Sequence, residues 1–523
     1  MYAVTRKLAG QVFQRMEGHL DVVFGHAANP IRHMGALVFF FFWILAATGT
    51  YLFIVVDTGV VVSYQSIAAL TGWSFGGVTR SLHRYASDAF LLFAVLHLLR
   101  EWALDRYSGF RWYSWVTGVP LLWLMFASGI GGYWLPWDRL AQYSAVATAE
   151  WIDWLPIFAE PIARNFQSPD AVTDRLFTLL VFLHIGFPLF TILGAWAHVH
   201  RISRVDHFPS RALALGGGGS LLLLALLRPA TSSSPADMTQ AVASVPLDWF
   251  VLFIHPLTEH FGAGLMWLTL FGLTVLLLAL PWLDRRARVP VAVVDPPNCN
   301  GCRRCYDDCP YGAVMMLPHP DKARREIAVV DADYCASCGI CVGACPSSTP
   351  FRRQEQLVTG IDLPASPINQ WRERLESWLA LPAPAIPRIV VFGCDRAVPL
   401  AALAAEATLP LSLTCVAMLP PAFVDYALRS GADGVLVTGC RPGSCHYRLG
   451  SVWTEARLSG ARPPELRSEV ARERLQIFWA DAHEAHSLRT ALEQFREHLQ
   501  DLPLSSVTPA FRRRSNIHVH QSV

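Results

Sequence analysis

Four histidines define the chemistry this chain could do. His83 and His97 stand fourteen residues apart, and so do His184 and His198. Fourteen residues make ~3.9 helical turns, so the two members of a pair face the same way, ~21 Å of rise apart. That is most of the hydrocarbon thickness of a bilayer. Two such helices set face to face could hold two stacked haems, each iron taking one imidazole from each helix. A lone histidine in a buried helix is more often a hydrogen-bonded core residue than a ligand. Four in apolar helices are harder to dismiss, because ionisable groups in a membrane are costly and usually functional. Two glycine pairs repeat the interval, Gly35 with Gly49 and Gly118 with Gly132. A flat macrocycle between helices needs a neighbouring backbone with no side chain in the way, and glycine supplies that.

The 12 cysteines carry a second chemistry. Cys299, Cys302, Cys305 and Cys309 are followed by Pro310, and Cys335, Cys338, Cys341 and Cys345 by Pro346. This is the two-cluster bacterial ferredoxin spacing, written twice. In that pattern the fourth cysteine of each run crosses to the other cluster. One 4Fe–4S cluster is therefore expected on Cys299, Cys302, Cys305 and Cys345, the other on Cys335, Cys338, Cys341 and Cys309. Two zinc sites are the bland alternative, and the spacing before each proline suits them less well.

The elements that must position these groups show in the composition. The chain has 523 residues, 53% hydrophobic and 16% charged, too apolar for one soluble protein of this length. The apolar excess lies before residue 290 and every cysteine after it. Residues 34–56, 112–137 and 261–283 are uncharged and long enough to span. Residues 85–100 and 176–198 carry the histidines. Residues 212–227 make a shorter sixth span, with Gly216–Gly219 weakening its helical continuity. The first 33 residues are polar and mixed, so no cleavable signal is expected. Arginines collect at the N-terminus, around Arg100, Arg106 and Arg111, at 201–211 and at 284–288. The alternate loops hold Asp57, then Asp138, Glu150, Asp153, Glu160, Asp170 and Asp174. That asymmetry puts the arginine loops, and the cysteine half after the sixth span, in the cytoplasm of an inner-membrane protein. Clustered cysteines in a reducing compartment mean metal more often than disulfides. The net charge of +2 is spread by region, and no nucleic-acid-binding segment is visible.

Residues 30–205 resemble the N-terminal four-helix part of cytochrome b, as found in quinol–cytochrome c oxidoreductases. The likeness rests on Arg80-Ser-Leu-His83, His97-Leu-Leu-Arg100, the paired glycines, Gly131-Gly-Tyr-Trp-Leu-Pro-Trp-Asp138, His184 and His198. It implies that His83 and His184 hold the outer haem, and His97 and His198 the haem nearer the cytoplasm. It also places Arg80 and Arg100 beside the propionates, where a guanidinium suits a carboxylate. The family binds quinones, in one pocket through a Pro-Glu-Trp-Tyr motif. Leu247-Asp248-Trp249-Phe250 stands in a comparable place, with the acid one methylene shorter and phenylalanine for tyrosine. Asp248 is thus the candidate catalytic residue, exchanging a quinone proton; an interfacial loop anchored by Trp249 is the alternative. His200 and His207 are candidates to line a second quinone site.

Residues 351–387 read as a proline-rich linker around one helix at 369–379. Three strands are then expected, ending at Cys394, near Cys415 and at Cys440, with helices at 421–430 and 483–498. Strands alternating with helices suggest a small parallel α/β domain. Residues 388–500 resemble the delta subunit of methyl-viologen-reducing hydrogenases, best over 431–447. That resemblance implies a 2Fe–2S cluster on Cys394, Cys415, Cys440 and Cys445, although Asp395-Arg-Ala-Val follows Cys394 where the family often has further cysteines. Cysteines scattered for structural reasons are the alternative.

The expected architecture is a membrane all-α domain over 1–290, of about six transmembrane helices around a four-helix di-haem bundle. A small α+β ferredoxin-like domain follows at 291–350, then the linker, an α/β domain at 388–500 and a tail at 501–523. The expected function is a membrane electron-transfer subunit of a respiratory chain, the quinone-reactive part of an oxidoreductase complex. It would join a cytoplasmic flavoprotein dehydrogenase of the heterodisulfide reductase-like kind, oxidising NAD(P)H or another substrate, to the quinone pool. An electron-bifurcating complex, a bare membrane anchor for a soluble dehydrogenase and an iron–sulfur redox sensor are the rivals. A homodimer is left open. The C-terminal domain is expected to be separable, a chain cut before 388 keeping its haems and 4Fe–4S clusters.

Overall fold

A computed structural model describes residues 2–166, 168, 171–200, 206–240, 242, 244–283, 289–382 and 386–502. Asp170, most of the arginine-rich loops at 201–211 and 284–288, and the tail beyond 502 lie outside these residues. The chain divides into two compact units, one ending near residue 285 and the other holding all the cysteines.

The first unit is helical: α1 (Tyr2–Phe24), α2 (Met34–Val55), α3 (Val62–Ala69), α4 (Phe75–Ala103), α5 (Trp112–Trp134), α6 (Arg139–Asp153), α7 (Asp174–His200), α8 (Arg211–Leu227), α9 (Ile254–Phe261) and α10 (Ala263–Leu283). Helices α2, α5, α7 and α10 are long and apolar enough to cross a membrane. Helix α4 has 29 residues, ample for a crossing, but carries Arg80, Arg84, Asp88, Arg100 and Glu101. It begins well before residue 85 because Ser74 caps it, accepting the Gly77 N–H at 3.1 Å. Helix α8, at 17 residues, runs unbroken through Gly216–Gly219. Gly217 and Gly218 face Phe41, Leu37 and Phe40 of α2 at ordinary contact distance. Close packing there offsets the low helix propensity of glycine. Helix α2 packs along α4, and α5 along α7. Between them lies a core of Leu37, Phe41, Phe90, Leu91, Leu121 and Met125.

Among its described residues the second unit contains three small sheets. Strands β1 (Val293–Val294), β2 (Val314–Pro318), β3 (Glu326–Val330) and β4 (Ile361–Asp362) form two antiparallel ribbons, β1 with β4 and β2 with β3. The short helices α11 (Arg304–Asp307) and α12 (Ile340–Ala344) lie among them in the chain. The stretch expected to be a linker is a packed part of the unit. Its β4 pairs with β1, and α13 (Ile368–Leu379) buries Ile368, Trp371, Leu375 and Leu379, an i, i+3, i+4 stripe. The prolines flank these elements and do not interrupt them.

A four-stranded parallel sheet follows, in the order β6 (Thr408–Leu413), β5 (Ile389–Cys394), β7 (Gly434–Gly439) and β8 (Leu475–Trp479). Every residue of β5 and β7 is buried, as the apolar runs require of central parallel strands. Strand β8 adds a fourth to the three expected. Helices α14 (Ala422–Arg429), α15 (Gly450–Ser459) and α16 (Ala485–Asp501) complete the domain. Leu488, Leu492, Phe495 and Leu499 of α16 pack on Ile389, Val391 and Leu436.

Candidate metal centres

Each of the four glycines lies against one of the four histidines. An added Cβ at Gly35 would meet His97 Cε1 at 3.5 Å, and at Gly49 it would meet His83 Cε1 at 3.1 Å. At Gly118 it would meet His198 Cε1 and at Gly132 His184 Cε1, both at 2.9 Å. The His83 and His184 rings face across the bundle, centroids 6.3 Å apart at 67°. A metal–imidazole bond of about 2 Å on either side, plus the ring halves, spans roughly that distance. His198 lies within electrostatic reach of His97 at the other level.

Three of these histidines have Nδ1 beside a polar partner. His83 Nδ1 lies 2.9 Å from Thr48 Oγ1, whose own proton goes to the Ile44 carbonyl at 2.7 Å. His184 Nδ1 donates to the Ser128 carbonyl at 3.0 Å. His198 Nδ1 is 3.4 Å from Thr117 Oγ1, which donates to Tyr113 O. Binding of Nδ1–H leaves Nε2 as the ligand nitrogen, the usual outer-shell device around a metal-bound imidazole. Thr48 and Thr117 went unread in the sequence, although each directly precedes a histidine-facing glycine.

Arg100 is buried and pairs with Glu17 at 2.7 Å and Glu101 at 3.1 Å. Its Nη2 is buried with no hydrogen-bond partner among the described residues, which suits an additional anionic group such as a propionate. Arg80 donates to Ser232 Oγ at 2.7 Å and to the Ile67 carbonyl at 3.0 Å.

Asp248 closes a turn before α9, its Oδ1 accepting the N–H groups of Phe250 at 2.9 Å and Val251 at 2.8 Å. Its other oxygen pairs with Arg84, which also holds Asp88 at 2.5 Å and lies 4.8 Å over the Tyr133 ring. Burial works to raise the Asp248 carboxyl, but these N–H donors and Arg84 outweigh it and hold it below the usual carboxylate range. Trp249 beside it is exposed. Arg84 and Asp88 also went unread, although a charged i, i+4 pair beside a membrane histidine was a signal in itself. The His207 ring lies tilted against Phe39, centroids 5.9 Å apart, and the His200 ring against Trp196 at 4.9 Å.

In the second unit, Cys299, Cys302, Cys305 and Cys345 line one small cavity. Cys341 lies within electrostatic reach of Cys338, Cys309 and Cys335. The crossed grouping read from the spacing is thus the one brought together. Backbone N–H groups point at sulfur, from Ala313 to Cys309 at 3.3 Å and from Ser337 to Cys335 at 3.4 Å. Burial, with neighbouring thiols, pushes the Cys305 thiol up to about 12, and burial raises Cys338 and Cys341 as well. Such groups ionise readily only next to metal.

Cys394 ends β5, and Cys415 and Cys440 follow β6 and β7, all at the carboxyl edge of the sheet. That edge is where parallel sheets bind ligands. Cys445 sits on the loop before α15, and all four are buried. Cys440 lies against Cys394 and Cys445, and Cys415 against Cys445. The Arg396 N–H points at Cys394 Sγ at 3.4 Å. The donor set, all sulfur with N–H groups aimed at it, fits an iron–sulfur group.

Residues 21–205 match the family model for cytochrome b/b6/petB, residues 298–349 that for the 4Fe-4S dicluster domain, and residues 389–503 that for the methyl-viologen-reducing hydrogenase, delta subunit. Three family regions follow one another in this chain. Cytochrome b6 of Porphyra purpurea is 29% identical over 172 residues, which is 32% of this chain and 80% of that protein. Cytochrome b6 of Heliobacterium mobile is 28% identical over 175 residues, 33% of this chain and 82% of that one. A chain of a solved hyperthermophilic respiratory Complex III aligns at 19% identity with a TM-score of 0.39, over 49% of this chain and 75% of that chain. The cytochrome b region implies haem b, and the dicluster region implies iron–sulfur clusters. With its apolar helices, the chain is an integral membrane protein and an electron-transfer subunit.

Proposed function

We propose that this subunit carries electrons between a cytoplasmic flavoprotein dehydrogenase and the quinone pool. The observation that carries the reading is the pairing of four glycines with four histidines at two levels, in one chain with twelve grouped cysteines. Two b haems, two 4Fe–4S clusters and one 2Fe–2S cluster would supply one-electron carriers along the route. His83 with His184, and His97 with His198, would hold the irons through Nε2, while Thr48, Thr117 and the Ser128 carbonyl fix the ring planes. Gly35, Gly49, Gly118 and Gly132 leave room for the macrocycles, and Arg100 and Arg80 offer guanidinium groups to propionates. The cysteine half lies in the cytoplasm on the arginine bias of the loops.

Asp248 is the proton-exchanging group of the quinone site. Arg84, shared with Asp88, keeps it ionised in the resting state. A proton from a quinol would arrive on a carboxylate, and Arg84 could then turn wholly to Asp88. The test is direct. The purified chain is reduced with dithionite under anaerobic conditions, excess reductant is removed, and an oxidised quinone is added. Both b-type bands should bleach; bands that stay reduced overturn the quinone link.

A further inference from the structure

Helix α15 reaches two sulfur sites within the iron–sulfur unit. Its first residue, Gly450, presses on the C-terminal site: an added Cβ would lie 3.1 Å from Cys445 Sγ and closer still to Cys415 Sγ. Seven residues on, about 10 Å along the axis, Arg457 leaves the same helix for the dicluster module. It is 1% exposed, the bulkiest wholly buried side chain among the described residues. Its Nη1 donates to the Ala417 carbonyl at 2.8 Å, and its Nη2 to the Ile340 carbonyl at 3.4 Å and to the Asp308 carboxylate. Arg462 takes the other oxygen of Asp308, with Nε at 3.0 Å. Asp308 adjoins Cys309, Ile340 adjoins Cys341, and Ala417 follows Cys415 by two residues. One guanidinium therefore touches groups next to candidate ligands of both sites. Its Nε is buried without a hydrogen-bond partner among the described residues. Burying a charge this fully is costly before any pairing is counted, and a buried ion pair does little more than offset that cost. Packing alone does not explain an arginine here.

The two backbones also close in at this place. Gly339, at φ 75°, has Met418 Sδ only 2.5 Å from where a Cβ would sit. Gly343 has Arg457 Nη1 at 2.7 Å and the Ala417 carbonyl closer. Cys415 lies within electrostatic reach of Cys338, and the buried Tyr447 within reach of both. The other cysteine set is more open, with Cys302 exposed and Cys299 half-buried.

We infer that the C-terminal four-cysteine site exchanges electrons with the Cys309, Cys335, Cys338 and Cys341 site, not directly with the Cys299, Cys302, Cys305 and Cys345 site, and that Arg457 is the positioning residue of this junction. The inference rests on reading both sites as iron–sulfur centres. In the transfer one electron leaves the C-terminal site, which is oxidised, and enters the Cys338 site, which is reduced; no bond changes and no proton moves. A cation held beside the acceptor favours the form with the extra electron. Exposed Cys302 then marks the open end of the relay.

The experiment is electron paramagnetic resonance of the full, anaerobically purified chain during a redox titration. The 2Fe–2S signal should broaden as the adjacent 4Fe–4S centre is reduced. Cys338→Ser should abolish that broadening, while Cys302→Ser should leave it. Arg457→Gln should shift the midpoint of the Cys338-side centre to a more negative value, Arg457→Lys should restore it, and the Cys302-side centre should stay put. Where Arg457→Gln alone lowers iron content, the comparison of Cys338→Ser with Cys302→Ser decides the junction by itself. A 2Fe–2S signal whose broadening survives Cys338→Ser, or disappears with Cys302→Ser, overturns the junction while the reading of the sites stands. Absence of any 2Fe–2S signal overturns that reading and the junction together.

Discussion

At Gly118 and Gly132 a single methyl group would lie 2.9 Å from a histidine carbon, inside the closest contact such atoms normally make. The histidines cannot retreat cheaply, because Thr117 and Ser128 hold their Nδ1 atoms. Gly118→Ala should therefore disturb the His198 level alone, and Gly132→Ala the His184 level alone. Replacing His97 or His198 should remove one haem and leave the other, and His83 or His184 should do the reverse. Dithionite-reduced spectra and a two-step potentiometric titration would show about half the haem absorbance lost in each histidine variant. A variant that removed neither haem would break the pairing. For Asp248, the amide in Asp248→Asn keeps the turn but cannot exchange a proton. Quinone-linked turnover should fall by about 10²-fold with haem spectra intact. An unchanged rate would move the working site toward His200 and His207.

At the scale of elements, α13 shows how a short helix is placed by one acid. Asp362 on β4 accepts the Leu363 N–H at 2.8 Å and the Ile368 N–H at 3.3 Å, where α13 begins. Burial outweighs these donors and raises its carboxyl to about 6. A raised folded-state value means the native protein holds the proton more tightly than the unfolded chain does. Asp362 thus favours folding most at low pH, and that contribution is lost as pH rises from about 4 through about 6. Asp362→Asn removes the charge and retains an acceptor oxygen. It should raise neutral-pH stability by on the order of 1–2 kcal/mol and narrow the gap to wild type toward pH 5, read as melting temperature of the iron-loaded protein. A variant less stable than wild type at pH 7.5 would mean that the ionised carboxylate is the better cap.

At the scale of the molecule, the described residues of the cysteine half form one compact unit. The separability expected of its C-terminal domain sits poorly with Arg457, Gly339 and Gly343, whose close contacts tie it to the dicluster module. A chain cut before residue 388 uncovers α12 with its buried Ile340, Val342 and Ala344, and leaves Asp308 without its arginines. Such a truncation should keep both haems and lose more than the two irons of the C-terminal site. Anaerobic iron and sulfide analysis should give about ten non-haem irons in the full chain and clearly fewer than eight in the truncated one. Eight retained in full would restore the view of a detachable domain.

Chemistry that repeats at a fixed interval was open to reading along the chain. Fourteen-residue spacing selects one helix face, and cysteine runs closing on proline select a local loop, so both are set by local geometry. The central strands β5 and β7 were legible because a strand covered on both sides must be apolar throughout. The edge strand β8 is only half-buried, so its run is less distinct. Arg84, Thr48 and Arg457 escaped for a different reason. Their partners, Asp248, His83 and Asp308, lie 164, 35 and 149 residues away, and no periodicity reports a contact of that length. The stretch 351–387 read as a linker because prolines mark its edges, while its pairing of β4 with β1 is visible only once the chain has turned back on itself. Candidate ligand types and their spacing belong to the sequence. Which carboxylate meets which arginine, and which sulfur site abuts which, follow from tertiary packing, because burial forces each charge to find a partner wherever the fold brings one.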